Sequence, residues 1–189
     1  MAKKNKDNTE YVYVLRTCNS DLTSYNGFKW PEAGIVEAPD WQDNRECGNG
    51  LHGLLWGIGD GALLNWAEDA KWLVVKVPFN TIIDLQGKIK FPQGEVIFAG
   101  DKAGAVSTII ELGADPALCV SGTATAGVRG TATAGDYGTA TAGDDGTIII
   151  KWHDGNRFRF SIGYIGEDGL KKNVQYKCDK QGKFVEVKK

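Results

Sequence analysis

The sequence predicts an α+β domain followed by a short β-solenoid, or a stack of β-hairpins, and a β-strand cap. Strand-like and helix-like segments alternate before residue 120, glycine recurs every eight residues from 122 to 146, and charged and aromatic residues alternate near the C-terminus. The predicted segments are a disordered tail (1–9), the α+β domain (10–120), an octapeptide β-repeat (121–150) and the β cap (151–189).

The α+β domain is predicted from three strands and two helices. The strands are the β-branched and aromatic runs "EYVYVLR" (10–16), "WLVVKV" (72–77) and "EVIFA" (95–99). One helix is expected in "GDGALLNWAEDAK", because Asp60 stands near its start and apolar residues recur at helical spacing. The other is expected in "DKAGAVSTIIELG", where Asp101 is the N-cap and Gly113 the stop.

The repeat is the phrase T-A-T-A-G, which begins after Gly122, Gly130 and Gly138. A strand of this sequence carries threonine on one face and alanine on the other, because successive side chains point to opposite faces. The intervening "GVRG", "GDYG" and "GDDG" are typical of turns. Two units would form one coil of a two-sided β-solenoid with alanine inside, and a meander of hairpins is the alternative.

The β cap is predicted from bulkier sequence. "GTIIIKWHDG" keeps the Gly-Thr start but replaces alanine with isoleucine and Trp152, as a terminal repeat does when it covers an open end. "RFRFSIGY" (157–164) alternates like a half-buried strand, and "VQYKCDKQGKFVEV" is typical of a hairpin.

Composition excludes several classes of function. The chain has 22 basic and 24 acidic residues among 189, a net charge of -2, so nucleic-acid binding is not favoured. No apolar run reaches the roughly 20 residues that span a bilayer, and the first ten residues lack a signal-like apolar segment. We therefore expect a cytoplasmic protein without a membrane partner. The four cysteines are far apart and only two histidines occur, so no metal site is expected.

Candidate binding residues concentrate in the α+β domain. Glycine-rich loops can present backbone N–H groups to an anion, and large aromatic side chains anchor interfaces. The predicted ligand or partner site comprises Arg16, Trp30, Trp41, His52, Gly57, Gly59 and Gly61. Packing of the same glycines and tryptophans in the core is the structural alternative.

Four features in order, including "ECGNGLHG" (46–53), "EVIFAGD" and the eight-residue repeats, resemble an uncharacterised family of bacteriophage and prophage proteins. The resemblance implies a phage-encoded accessory protein in the host cytosol. Because no catalytic set is complete, we expect an anti-defence inhibitor of the anti-CRISPR type, which occupies a host protein or sequesters a nucleotide signal without a cofactor.

Two alternative functions remain. The order of elements resembles that of ADP-ribosyltransferases, which implies that Arg16 holds NAD, Gln93 orients the acceptor and Glu95 stabilises the transition state. The second alternative is a structural oligomerisation module, because the strand edges of a short repeat favour a homo-oligomer through the C-terminal half. The T-x-T face also resembles the ice-contacting ladders of insect antifreeze proteins, but three short units make a small plane.

Overall fold

The computed structural model describes residues 3–4 and 10–187, which fall into two compact units, Met1–Ala114 and Asp115–Lys189. About 41 % of the described chain is strand and 11 % is helix. Most of the predicted disordered tail, residues 1, 2 and 5–9, lies outside the described residues.

Unit 1 is built on one eight-stranded antiparallel sheet. Its strands are β1 (Lys3–Lys4), β2 (Glu10–Cys18), β3 (Gly34–Glu37), β4 (Leu51–Leu55), β5 (Lys71–Pro78), β6 (Ile83–Asp84), β7 (Ile89–Phe91) and β8 (Gln93–Gly100). The order across the sheet is β3-β8-β5-β2-β4-β7-β6, and β1 pairs with β2.

The core of unit 1 lies on the central strands. β2 and β5 pair continuously from Tyr11 opposite Pro78 to Cys18 opposite Lys71. Consecutive residues such as Val14 and Leu15 are both fully buried, so both faces of β2 are covered. One cover is the helix α1 (Lys102–Glu111), which contacts β2, β5 and β8 and buries Ala105 and Ile109 completely.

The ends of α1 follow the sequence prediction. The Asp101 side chain accepts a hydrogen bond of 2.7 Å from the Gly104 backbone N–H, and Gly113 stops the helix with a φ of 114°.

The other predicted helix does not form. Only Gly61–Leu63 make a short 3-10 turn, in which Asp60 accepts from the Ala62 backbone N–H. Beyond it, the Asn65 backbone N–H donates to Thr17 Oγ1 at 2.7 Å and the Asn65 side chain accepts from the Ala67 backbone N–H. These side-chain bonds to the backbone replace helical ones, which is why the segment leaves the helix.

Unit 2 contains the remaining strands, arranged in one three-stranded and one four-stranded sheet. They are β9 (Thr123–Ala126), β10 (Thr131–Ala134), β11 (Thr139–Ala142), β12 (Thr147–His153), β13 (Phe158–Tyr164), β14 (Tyr176–Cys178) and β15 (Phe184–Glu186). The two sheet orders are β10-β12-β13 and β15-β14-β11-β9.

Repeat strands pair with the strand two units away, not with their sequence neighbour. β9 pairs in parallel with β11, and β10 pairs in parallel with β12. Alternate units therefore lie in different sheets, and the alanines of β10 and β11 point inward, each at most 2 % exposed, around Ile148, Ile150 and Tyr176. Because the inward methyl groups of these alanines are small, the larger inward side chains of the tail fill the remaining space in this core.

The predicted fold class is wrong. The described chain is a mainly β protein with one α-helix, so the N-terminal unit is not an α+β domain. The repeat is neither the predicted β-solenoid nor a hairpin stack, because its strands belong to open sheets that also contain antiparallel strands from the tail. The physical reason is that β13 and β14 complete the sheets that the short repeat strands begin.

Candidate functional site

The repeat strands place threonine side chains on the outer faces of unit 2. In one sheet Thr123 lies opposite Thr139, and Thr125 lies opposite Thr141, in parallel register. These four side chains form the threonine face, with those of β9 exposed and those of β11 half-buried. Neighbouring strands are about 4.8 Å apart. The face is thus a small regular array of hydroxyl and methyl groups.

Hydrogen bonds fix part of the threonine face. The Thr123 and Thr139 hydroxyl oxygens lie 3.1 Å apart, and Gln175 Nε2 donates to Thr139 Oγ1 at 2.9 Å. The other sheet extends the pattern less completely, because Thr131 lies opposite Thr147 but Thr133 lies opposite Ile149. The complete threonine array is therefore that of β9 and β11.

The turns between repeat strands keep this register. In each turn the fourth residue donates a backbone hydrogen bond to the first, for example Gly138 to Gly135 at 3.0 Å. The third residue has a left-handed backbone, with φ between 54° and 57° at Arg129, Tyr137 and Asp145. A Cβ atom at Gly143 would lie 2.7 Å from the Val128 backbone nitrogen, so glycine permits the close stacking of successive turns.

In unit 1, the structure brings Arg16, Trp30 and His52 together. Arg16 Nη1 donates to the His52 carbonyl oxygen at 3.0 Å, and the guanidinium carbon lies 5.2 Å from the centre of the Trp30 ring. Trp30 is 2 % exposed, and its indole N–H donates to Ser24 Oγ. Trp30 is consequently a core residue that contacts the Arg16 guanidinium, and it is not an exposed residue available to a binding partner.

Trp41 belongs to a second contact that the sequence did not predict. Lys90 is completely buried on β7, and its Nζ donates to Asn44 Oδ1 at 2.8 Å and to the Glu46 carbonyl oxygen at 3.1 Å. The same Nζ lies 5.4 Å from the centre of the Trp41 ring. The only signal in the sequence is a lysine between Ile89 and Phe91 on a short apolar strand.

His52 lies opposite Lys90 on the neighbouring strand. Burial, together with the positive charges of Lys88, Arg16 and Lys90, lowers the pKa of His52 to about 4. The imidazole is therefore neutral at pH 7, and its Nε2 is buried without a hydrogen-bond partner among the described residues.

The predicted glycine loop does not precede a helix. Gly57 is buried with a φ of 69°, and the Gly61 carbonyl accepts from the Trp66 indole N–H at 2.8 Å. Gly59 packs so closely that a Cβ atom would lie 2.2 Å from the Gly87 carbonyl oxygen. These glycines serve tight packing in the structure, and their role in ligand binding stays a prediction.

The ADP-ribosyltransferase constellation is not assembled. Arg16 pairs across the sheet with Leu73, which lies opposite Ala99, whereas Glu95 lies four residues earlier on β8. Glu95 forms an ion pair of 3.8 Å with Lys76, and Gln93 Nε2 donates to Glu37 at 3.1 Å. The proposed NAD-holding and catalytic residues are thus engaged elsewhere and do not meet.

Two negative observations apply to the described part of the chain. Within it, no three histidine, cysteine, aspartate or glutamate side chains cluster closely enough to hold a metal ion. No helix among the described residues combines the length and the apolar character needed to cross a membrane.

Curated relatives of the chain are named ice nucleation proteins. One from Pseudomonas syringae pv. syringae is 42 % identical over 120 residues, which are 62 % of this chain and 10 % of the relative. One from Pseudomonas fluorescens is 40 % identical over 103 residues, 53 % of this chain and 8 % of the relative. Ice nucleation protein InaU from Pantoea ananas is 37 % identical over 118 residues, 61 % of this chain and 11 % of the relative. The chain thus spans about a tenth of the length of these relatives.

These relatives overturn three predictions. The resemblance to a phage and prophage family is wrong, because the relatives are bacterial ice nucleation proteins. The predicted anti-defence inhibitor is wrong for the same reason, and neither the ADP-ribosyltransferase nor the oligomerisation module is supported. The predicted cytoplasmic location, which was inferred from the lack of a long apolar run and of a signal-like segment, is wrong as well, because it conflicts with these relatives. The one sequence feature that resembles an ice-contacting surface is the T-x-T face, whose small size argued against that function.

A family match covers unit 1. It extends over residues 12–108, just over half of the chain, and thus from β2 to the last turns of α1. Arg16, His52 and Lys90 lie within it, and the octapeptide repeat lies outside it. No solved structure matches the chain. By the match over residues 12–108, the chain belongs to the family described as Domain of unknown function (DUF7666).

Proposed function

We propose that this protein promotes the ordering of water into ice through the threonine face of its repeat. The observation that carries the proposal is the parallel register of β9 and β11, which sets Thr123 and Thr125 directly opposite Thr139 and Thr141. The names of the relatives support the same activity. Because the chain spans about a tenth of their length, the activity of those whole proteins is itself part of the proposal.

The chemistry of the threonine face suits water at regular positions. Each threonine offers a hydroxyl group that both donates and accepts hydrogen bonds, beside a methyl group that binds no water. The parallel register keeps these groups in rows, and the buried Ala140 and Ala142 support the rows from below. A rigid array orders bound water at a lower entropic cost than mobile surface side chains do.

The size of the array limits what four threonines can achieve. A template stabilises an ice embryo in proportion to the area that it covers, so a longer stack or several copies should act at higher temperatures. The threonine face must also meet bulk water, and we therefore place the protein, with this proposal, at the outer surface of a bacterial cell.

The test is a change in the length of the repeat. Inserting a copy of residues 131–146 after Gly146 adds sixteen residues, which is the spacing between paired strands, and should extend both sheets without changing their register. In a droplet-freezing assay with purified protein, the median freezing temperature should rise with each such insertion.

The matched control inserts only residues 131–138. Eight residues would move every later strand to the opposite sheet and should prevent β12 from pairing with β10. Folded sixteen-residue variants that freeze droplets at the same temperature as buffer would contradict the proposal.

A further inference from the structure

Unit 1 contains a cavity of about 870 Å³ between the loop that precedes β4, the end of β4 and the β6–β7 hairpin. Its apolar lining includes Leu55, Trp56, Ile58, Phe79, Ile83 and Ile89. Pockets for small organic ligands have volumes of roughly 300–1,000 Å³ and mostly apolar walls. The cavity therefore has the size and lining of a small-molecule site.

Part of this apolar lining is open to solvent. Ile58 is 40 % exposed and Phe79 is 44 % exposed, although both side chains border the cavity. Exposed apolar groups that converge on one concavity gain free energy when an apolar body covers them. The body of the ligand should thus be aromatic or branched aliphatic.

Cationic side chains border the cavity from two sides, the 41–50 loop and the β6–β7 hairpin. Arg45 and Lys88 border the cavity, and Lys90 lies behind Asn44, which borders it too. None of these three cations forms an ion pair with a carboxylate in the described chain, and Lys88 Nζ donates a hydrogen bond to Cys47 Sγ at 3.0 Å. Burial is the largest cause of the lowered pKa of His52, and the positive charges of Lys88 and Lys90 add to it.

Two carboxylates also border the cavity. Asp84 accepts a hydrogen bond from the Gln86 backbone N–H at 2.9 Å, so it is engaged in its own turn. Asp43 lies two residues before Arg45 and opposes the attraction of an anion. Removing the Asp43 charge should therefore strengthen the binding of an anion, whereas removing the Arg45 charge should weaken it.

We propose that this cavity is a binding site for a small organic anion, whose aromatic or branched apolar body lies on the Trp56 and Ile58 wall and whose carboxylate, sulfonate or similar group meets Arg45 and Lys88. The inference is independent of ice formation, because it uses residues of unit 1 alone. Such a ligand would link the 41–50 loop to the β6–β7 hairpin and stabilise unit 1 by mass action.

The experiment compares two fluorescent probes with the same aromatic body. 8-Anilinonaphthalene-1-sulfonate carries the anionic group and N-phenyl-1-naphthylamine lacks it. Titrated into the full-length protein, the sulfonate should bind with the lower dissociation constant, and Arg45→Gln and Lys88→Gln should each weaken it about fivefold, the upper range for a partly exposed ion pair. Asp43→Asn should strengthen sulfonate binding, and none of the three should change binding of the neutral probe.

Controls locate the probe in the cavity. Ile58→Trp should fill the cavity and weaken both probes, whereas Leu63→Trp, at a 52 % exposed position that does not border the cavity, should leave both unchanged. Lys29→Gln, at an exposed position elsewhere in unit 1, is the control for loss of charge. Circular dichroism verifies that each variant is folded.

Three results would overturn the proposal. The first is equal affinity for the two probes, which would show that the anionic group does not contribute to binding. The second is unchanged sulfonate binding in both folded Arg45→Gln and Lys88→Gln proteins. The third is unchanged binding in folded Ile58→Trp protein, which would place the probe on another apolar surface.

Discussion

Thr123 and Thr139, sixteen residues apart in the sequence, lie opposite each other on parallel strands with their hydroxyl oxygens 3.1 Å apart. This contact shows that the structural period of the repeat is two octapeptides, because each octapeptide supplies one strand to one sheet.

Replacing threonines of β9 and β11 should remove ice activity without unfolding the protein. In the double variant Thr125→Lys, Thr141→Lys, two long charged side chains would interrupt the outer face while Ala140 and Ala142 stay buried. We expect the median droplet-freezing temperature to fall to that of buffer. Val128→Lys is the control, because Val128 is 69 % exposed in a turn and outside the threonine face. If Val128→Lys lowered the freezing temperature as much as the double variant did, the added charge and not the loss of the threonine face would explain the effect.

A methyl group on Gly143 should destabilise unit 2. Its Cβ atom would lie 2.7 Å from the Val128 nitrogen, whereas a Cβ atom on Gly127, at the equivalent repeat position, would have no neighbour within 4 Å. We expect Gly143→Ala to lower the free energy of unfolding by about 1–3 kcal/mol and Gly127→Ala to change it by less than about 0.5 kcal/mol. Urea denaturation measures both. Equal effects would show that the turns do not stack as closely as described.

Lys90 should be required for the position of the 41–50 loop. Lys90→Met keeps an unbranched side chain but removes the ammonium group and its hydrogen bonds to Asn44 and the Glu46 carbonyl. This loss should lower the free energy of unfolding by about 1–3 kcal/mol. Amide hydrogen exchange in residues 41–50 should become faster. Lys29→Met, at an exposed position, is the control, and unchanged exchange in folded Lys90→Met protein would contradict this role.

His52 should make unit 1 less stable in acid. Its pKa is lowered to about 4 in the folded protein from an ordinary 6.5, so between these values the unfolded chain binds the proton more readily. Stability should be complete above pH 6.5 and should decrease as the pH falls from 6.5 towards 4. Because the ring is only half-buried, we expect a loss on the order of 1–2 kcal/mol. His52→Gln should reduce the slope of unfolding free energy against pH over this range, and an unchanged slope would contradict the assignment.

Self-association through the C-terminal repeat region stays a prediction. β9 is the last strand of its sheet, and its inward residues Ala124 and Ala126 are only half-buried, unlike those of β10 and β11. An unpaired strand edge of this kind is a template for another copy. Sedimentation velocity at micromolar concentrations should detect species larger than the monomer, and Ala124→Lys should reduce them. A monomer at all concentrations would show that the edge is not used.

The sequence by itself determined several local elements of this protein. The alternation of threonine and alanine assigned one residue type to each face of a strand, and Asp101 and Gly113 marked the ends of α1. These features depend on backbone geometry within a few residues, which is why they could be predicted.

Only the tertiary structure decided which of these elements meet. The sequence left open whether repeat strands pair sixteen residues apart or with their neighbours in hairpins. Nor could it show that Asn65 bonds to Thr17 in place of a helix, or that Lys90 is buried beside Trp41. It also placed Arg16 and Glu95 in one hypothetical site, although they lie on strands separated by β5. Each of these outcomes depends on contacts between distant segments, whose free energies outweigh local preference and which no short pattern of residues contains.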